Sequence, residues 1–102
     1  MAELKLVEIK IKDFLLSERS LSVNELFMIS FIDYRIKNDG ECTCSNSCFA
    51  NFLEVSERQV VRYLRHLEKL KYVDIDRHGR FRKITMGVQY AIKQGTYTKG
   101  GN

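Results

Sequence analysis

Apolar residues recur along the chain with two different periods. Residues 4–12, LKLVEIKIK, set apolar residues against Lys and Glu at nearly alternate positions, a pattern that fits a strand and also a short helix. From Val23 onward the spacing is helical. Val23, Leu26, Phe27, Phe31 and Tyr34 fall on one face, and Met28, Ile29, Ile32 and Ile36 on the opposite one. A helix apolar on two faces needs cover on both, so a second copy of the chain or an N-terminal strand is expected on the second face. The start of this helix is marked by Ser22-Val23-Asn24-Glu25, a capping box in which the Ser22 hydroxyl and the Glu25 carboxylate each accept from the other's amide, with Leu21 and Leu26 at the staple positions. Asn38-Asp39-Gly40 tolerates positive φ and should stop it, giving an expected span of about residues 23–37.

After a short extended piece at residues 41–44, Ser45 is placed to cap a short helix that ends at Leu53. Glu54 and Val55 make a tight connection to Ser56, where a second capping box is expected from Ser56 and Gln59, with Val55 and Val60 as its staple. The helix that follows should reach about Leu70. Two strand-like runs come next, residues 72–76 and 81–86, joined by residues 77–80, with Gly79 expected at a positive-φ turn position. The last residues, GTYTKGGN, have no period and no packing face and suit a flexible tail or the start of a linker. The expected division is a single domain over residues 1–90 and a tail over 91–102. The fold class is mainly α with a small β-hairpin.

Composition adds two constraints. Proline is absent from the 102 residues, which favours helices joined by short turns, and no apolar run is long enough to cross a membrane. No signal-peptide pattern opens the chain, so a cytoplasmic protein is expected, in a bacterial cell or a phage-infected host. The net charge of +4 is unevenly spread: residues 1–55 hold six Lys/Arg against nine Asp/Glu, residues 56–86 nine against four, and residues 87–102 two basic and no acidic residues. Basicity gathered in one part of a molecule points to a polyanion partner for that part.

The order of helix, short helix, tight turn, capped helix and hairpin is that of a winged helix-turn-helix. Residues 48–73, CFANFLEVSERQVVRYLRHLEKLKYV, resemble the helix-turn-helix of bacterial and phage winged-helix proteins, and residues 15–45, LLSERSLSVNELFMISFIDYRIKNDGECTCS, resemble the approach to that motif in the N-terminal domains of phage and plasmid replication initiators. That family commonly runs from the wing into a Gly/Asn/Lys-rich linker, and residues 98–102 are similar to such a beginning. The resemblance implies sequence-specific binding of double-stranded DNA at an origin, with replication-machinery proteins as further partners, no cofactor and no membrane. A small winged-helix transcriptional repressor, for which 102 residues would be the whole protein, is the second reading, and a protein-interaction module the third. Two positions depart from the family: Glu54 and Lys71 stand where it usually carries Gly, so turns of a different type are expected there.

On a helical wheel with Val60 at zero, Leu64 and Leu67 lie close to it, whereas Arg58, Arg62, Arg65 and Lys69 fall at about 140° to 200° and His66 and Gln59 at about 240° to 260°. The basic face is therefore opposite the core stripe. Recognition helices enter the major groove by their first turns, so Ser56, Arg58, Gln59 and Arg62 are expected deepest, with Arg65, His66 and Lys69 nearer the backbone. The wing candidates are Arg77, His78, Arg80, Arg82 and Lys83. Against them stands the simpler reading that Arg and Lys only solvate an amphipathic helix.

Cys42, Cys44 and Cys48 form a C-x-C-x3-C cluster whose thiols could take a soft metal, as in a metal-responsive regulator. The spacing is not the usual C-x2-C, a fourth ligand is missing, and Cys also serves as a small buried hydrophobe; no metal is expected. No enzyme is expected either, since His66 and His78 are the only histidines and no carboxylate pair, phosphate-cradling loop or nucleophile elbow accompanies them.

Overall fold

The computed structural model describes residues 18–94. Helix α1 spans Val23–Asp39, α2 Asn46–Leu53 and α3 Glu57–Lys69; strands β1, Val73–Asp76, and β2, Lys83–Met86, form an antiparallel hairpin, and a last helix, α4, spans Val88–Gln94. This is a mainly helical domain with a hairpin after its helices, the winged helix-turn-helix arrangement.

Each long helix begins where its cap predicts. In α1 the Ser22 hydroxyl accepts from the Glu25 amide at 3.2 Å, and Glu25 Oε1 accepts from the Ser22 amide at 2.8 Å, so the capping box is complete. The helix runs two residues beyond the expected Lys37. Asn38 donates back to the Tyr34 carbonyl and Asp39 pairs with Arg35 at 3.0 Å, which holds the last turn until Gly40 closes it at φ 86°. Ser45 caps α2 through the Cys48 amide, and Ser56 caps α3 through the Gln59 amide. The second expected box is only half formed. The Gln59 carboxamide oxygen accepts from Arg62 Nη1 at 3.2 Å instead.

The two departures from glycine do not change the turns. Glu54 sits at φ 59° and Lys71 at φ 68°, both in the left-handed region. Hydrogen bonds that close the preceding helices fix them there: the Glu54 and Val55 amides both reach the Ala50 carbonyl, and the Tyr72 amide reaches Leu67 at 2.9 Å.

The hairpin pairs Val73 with Met86, Ile75 with Ile84 and Asp76 with Lys83. Both strands are shorter than expected, and the connection between them is six residues long. Gly79 is not at positive φ; among the described residues Gly40 is the glycine that is. A loop of that length reverses the chain without the primed turn a two-residue connection needs. Cys42 adds a bridge on the far side of β2, accepting from the Ile84 amide at 2.8 Å.

Helix α1 is the centre of the core. Phe31 meets Phe49 of α2 edge to face at 5.8 Å and stacks on Phe52 at 4.5 Å, while Met28, Ile29 and Ile32 on its other side are fully buried. Strand β2 packs on α1 and buries Ile84. Cover for the second face is thus found within one chain, which removes the need for a second copy there. The expected strand over residues 4–12 lies outside the described residues.

Helix α4 crosses the expected boundary between residues 90 and 91 and seats Tyr90 in the core; residues 95–102 of the expected tail lie outside the described residues. It leaves β2 through Gly87, whose amide bonds to Tyr72 at 2.8 Å, while the Gln89 amide bonds to Lys71 at 2.9 Å. A Cβ at Gly87 would lie 2.3 Å from the Lys71 carbonyl oxygen. Glu18 ties the start of the described chain to the same corner. It accepts from the Tyr72 hydroxyl at 2.7 Å and pairs with Lys93 at 3.4 Å. Its hydrogen bonds from Ser20 and Tyr72 hold its pKa down to about 2. Among the described residues no helix is long and apolar enough to cross a membrane.

Three stability predictions rest on these contacts. Gly87→Ala should lower stability by about 1–3 kcal/mol through overpacking, and Glu54→Gly should raise it by up to about 1 kcal/mol by relieving a left-handed L-residue, both read from urea denaturation midpoints. Because the Glu18 pKa is lowered from 4.5 to about 2, its contribution is complete above pH 4.5 and is lost as pH falls toward 2. Glu18→Gln should therefore flatten the acid limb of a thermal-midpoint profile and leave the slope near neutrality unchanged.

Candidate nucleic-acid interface

The orientation of α3 follows from its two faces. Val60, Leu64 and Leu67 are buried in the core, and Arg58, Arg62, Arg65 and Lys69 are exposed on the opposite side, as the wheel predicts. Among the described residues, Arg58, Arg65 and Lys69 have no carboxylate partner, and Arg62 is steadied only by Gln59. Ser56 and Gln59 stand at the entry end of this face. Four cations from one helix thus project from one side of it, none of them in an ion pair among the described residues.

His66 is placed differently from the other six α3 candidates. Its Nδ1 lies 2.6 Å from Glu25 Oε2, and the Glu25 side chain is only 7% exposed. The imidazole therefore bridges α3 to the start of α1. It forms one wall of a groove of about 450 Å³ with Ser22, Glu25, Arg62, Tyr63 and Arg65. Nearby, Asn24 donates to the Tyr63 hydroxyl at 3.0 Å. Glu25 thus serves two helices with its two oxygens, and no spacing in the sequence marks this, since the partners are 41 residues apart.

The wing candidates separate into paired and unpaired groups. Arg77 binds both oxygens of Glu68 on α3 at 3.1 Å, which fastens the wing to α3 and holds the Glu68 carboxyl below its usual range. His78 caps back onto Asp76 at 2.8 Å, and Lys83 stands 3.5 Å from Glu41. Arg82 turns into the fold, where its Nε and Nη2 donate to the Cys44 carbonyl at 3.1 and 2.9 Å and its guanidinium lies over Phe49. Burial lowers its pKa, and its position excludes it from the outer face. Among the described residues neither Arg82 nor Arg80 has a carboxylate partner, and of the two it is Arg80 that stays exposed. It stacks against Phe81, which is 65% exposed at the loop's end.

Phe81 was not among the expected site residues, because its run reads as the start of a strand. The signal that could have found it is Arg80-Phe81-Arg82, an aromatic between two guanidinium groups beside a turn. The engagement of Arg82 with Cys44 has no such local signal.

Among the described residues, no group of three or more His, Cys, Asp or Glu side chains is arranged to hold a metal ion. Cys42 and Cys44 are buried and Cys48 is partly exposed; all three are free thiols.

Against known families, residues 25–73 match a helix-turn-helix domain. The match begins at Glu25 in α1, takes in α2 and α3 whole, and ends on the first residue of β1. A helix-turn-helix domain is present, and it suggests DNA binding. No curated protein and no solved structure matches the chain.

The dual role of Glu25 is testable by denaturation. Glu25→Ala removes half of the α1 cap and leaves His66 without its partner, and should cost about 2 kcal/mol; His66→Ala, which keeps the cap, should cost less than half as much. Equal losses would show that the Glu25–His66 contact carries the effect alone.

Proposed function

We propose that this domain binds double-stranded DNA sequence-specifically, as the origin-recognising part of a phage or plasmid replication initiator. The observation that carries the DNA reading is the exposed row of Arg58, Arg62, Arg65 and Lys69 on a helix whose opposite side is locked into the core. Such a helix presents its cations outward as a rigid set, and the major groove is wide enough to admit it. The origin assignment rests on the resemblance of residues 15–45 to initiator N-terminal domains. Small winged-helix repressors share the DNA-binding geometry and form the second reading. DNA occupies an intracellular compartment, and replication-machinery proteins are the further partners this role requires.

In this reading Ser56, Arg58, Gln59 and Arg62 approach base edges, and Arg65 and Lys69 hold phosphates. The wing contributes Arg80 and the exposed ring of Phe81 to the neighbouring backbone, whereas Arg77, Lys83 and Arg82 support it from behind. The proposed role is binding, without a catalytic step.

Binding to fragments of the source genome, selected at low salt and sequenced, tests both levels. Recovery of clustered repeats supports the initiator, recovery of single sites beside promoters supports the repressor, and recovery of no sequence above background removes the sequence-specific reading. Within a selected site, Arg62→Ala should cost about 1–3 kcal/mol on the specific duplex and far less on a scrambled one. Lys69→Ala should weaken both alike and lower the salt slope by about one. Lys83→Ala, already paired with Glu41, should change neither by more than about twofold.

A further inference from the structure

The three thiols are not dispersed through the core. Cys48 Sγ donates to Cys44 Sγ at 3.1 Å, across four residues that include the cap of α2, and Cys44 in turn acts on the Cys42 thiol. The chain of sulfurs runs from a partly exposed end at Cys48 to a fully buried end at Cys42. Its surroundings are electropositive: Arg35 and Arg82 both act on Cys42. The neighbouring Cys44 holds the Cys42 thiol down to about 7, and Cys42 in turn pushes Cys44 up. Among these thiols the thiolate form is favoured at Cys42.

We propose that Cys44 and Cys48 are a peroxide-sensitive thiol pair that closes to a reversible intramolecular disulfide. Cys48, the partly exposed residue of the three, reacts as its thiolate after losing its proton to solvent. Its sulfur attacks one oxygen of a hydroperoxide, the O–O bond breaks, and Cys48 becomes a sulfenic acid while the leaving alkoxide or hydroxide takes a proton. The Cys44 sulfur then attacks Cys48, hydroxide leaves, and the Cys44 proton completes a water molecule. Two thiols and one hydroperoxide give a disulfide, water and an alcohol, or two waters from hydrogen peroxide. The sulfurs must close from 3.1 Å to a bond of about 2.05 Å.

The position gives this chemistry a structural consequence. The Cys44 carbonyl receives both nitrogens of Arg82 from the wing side, Cys42 bridges to Ile84 of β2, and Ser45 caps α2. A bond formed between Cys44 and Cys48 acts on the joint between the wing and the helix-turn-helix.

The test is stoichiometric hydrogen peroxide on the full reduced chain, followed by thiol counting, intact mass and peptide mapping. The expected result is loss of two thiols and about 2 Da, a Cys44–Cys48 link in a monomer, and full reversal by dithiothreitol. Cys48→Ser should keep its mass under the same treatment. A disulfide between chains, a link involving Cys42, stepwise gain of oxygen with no disulfide, or no reaction would each overturn the proposal, as would a Cys48→Ser protein that still loses about 2 Da. The wild-type mapping stands whether or not the variant folds.

Discussion

One carboxylate sets the geometry on which the candidate interface depends. Glu25 is buried at the start of α1, where one oxygen completes the cap through the Ser22 amide and the other takes His66 from the outer flank of α3. A carboxylate removed from water needs its lone pairs satisfied, and here both oxygens are used by different elements. The angle of α3 to α1 is thereby set by a polar contact at one edge and by Val60, Leu64 and Leu67 along the seam. With the roll and tilt of α3 both fixed, the four cations on its far side have one direction to point. On the proposed DNA-binding reading, charge provides the attraction and this fixed direction brings individual side chains to base edges.

The wing shows how paired charge and free charge divide the work. Five basic residues in and beside its loop suggest a second positive surface, yet Arg77 is spent on Glu68, Lys83 on Glu41 and His78 on Asp76. Exposed pairs of this kind contribute about 0–1 kcal/mol each to stability. Their greater effect is on shape, since the two-pronged Arg77–Glu68 contact sets the hairpin against α3. The electrostatic weight therefore rests on α3, with Arg80 as the wing's one exposed cation outside an ion pair among the described residues.

Local signals carried most of the fold. Ser22-x-x-Glu25, Ser45 and Ser56 placed three helix starts, Gly40 placed a stop, and the wheel on Val60 placed the outward face, because each depends on residues within a turn or two of one another. What the chain concealed were contacts between distant positions. His66 reads as one more basic residue until Glu25 arrives beside it, and Arg82 reads as a wing contact until the Cys44 carbonyl is found within reach. Helix α4 is too short to show a period, and Gly87 earns its place by the close approach of Lys71, not by a turn. The positive-φ residues teach a related lesson. Glu54 and Lys71 take the angles that glycine usually takes because the carbonyls of the preceding helices dictate where the next amides must go.

The same reasoning supplies an argument for the proposed partner over a helix that is merely solvated. A solvated face gains from opposite charges three or four residues apart, and α1 follows this rule, pairing Arg35 with Asp39 and Lys37 with Asp33. Helix α3 does not. Its outer face sets Arg58, Arg62, Arg65 and Lys69 at spacings of three and four with no acid between them, an arrangement in which neighbours repel. The two acids of the helix are elsewhere: Glu57 lies in the first turn, where the helix dipole favours it, and Glu68 is taken by Arg77. A face that forgoes its own ion pairs is destabilised alone and relieved when phosphates supply the missing charge. That is the electrostatic condition of a surface completed by a polyanion, and the contrast between two helices of one small domain makes it a property of α3 instead of the composition.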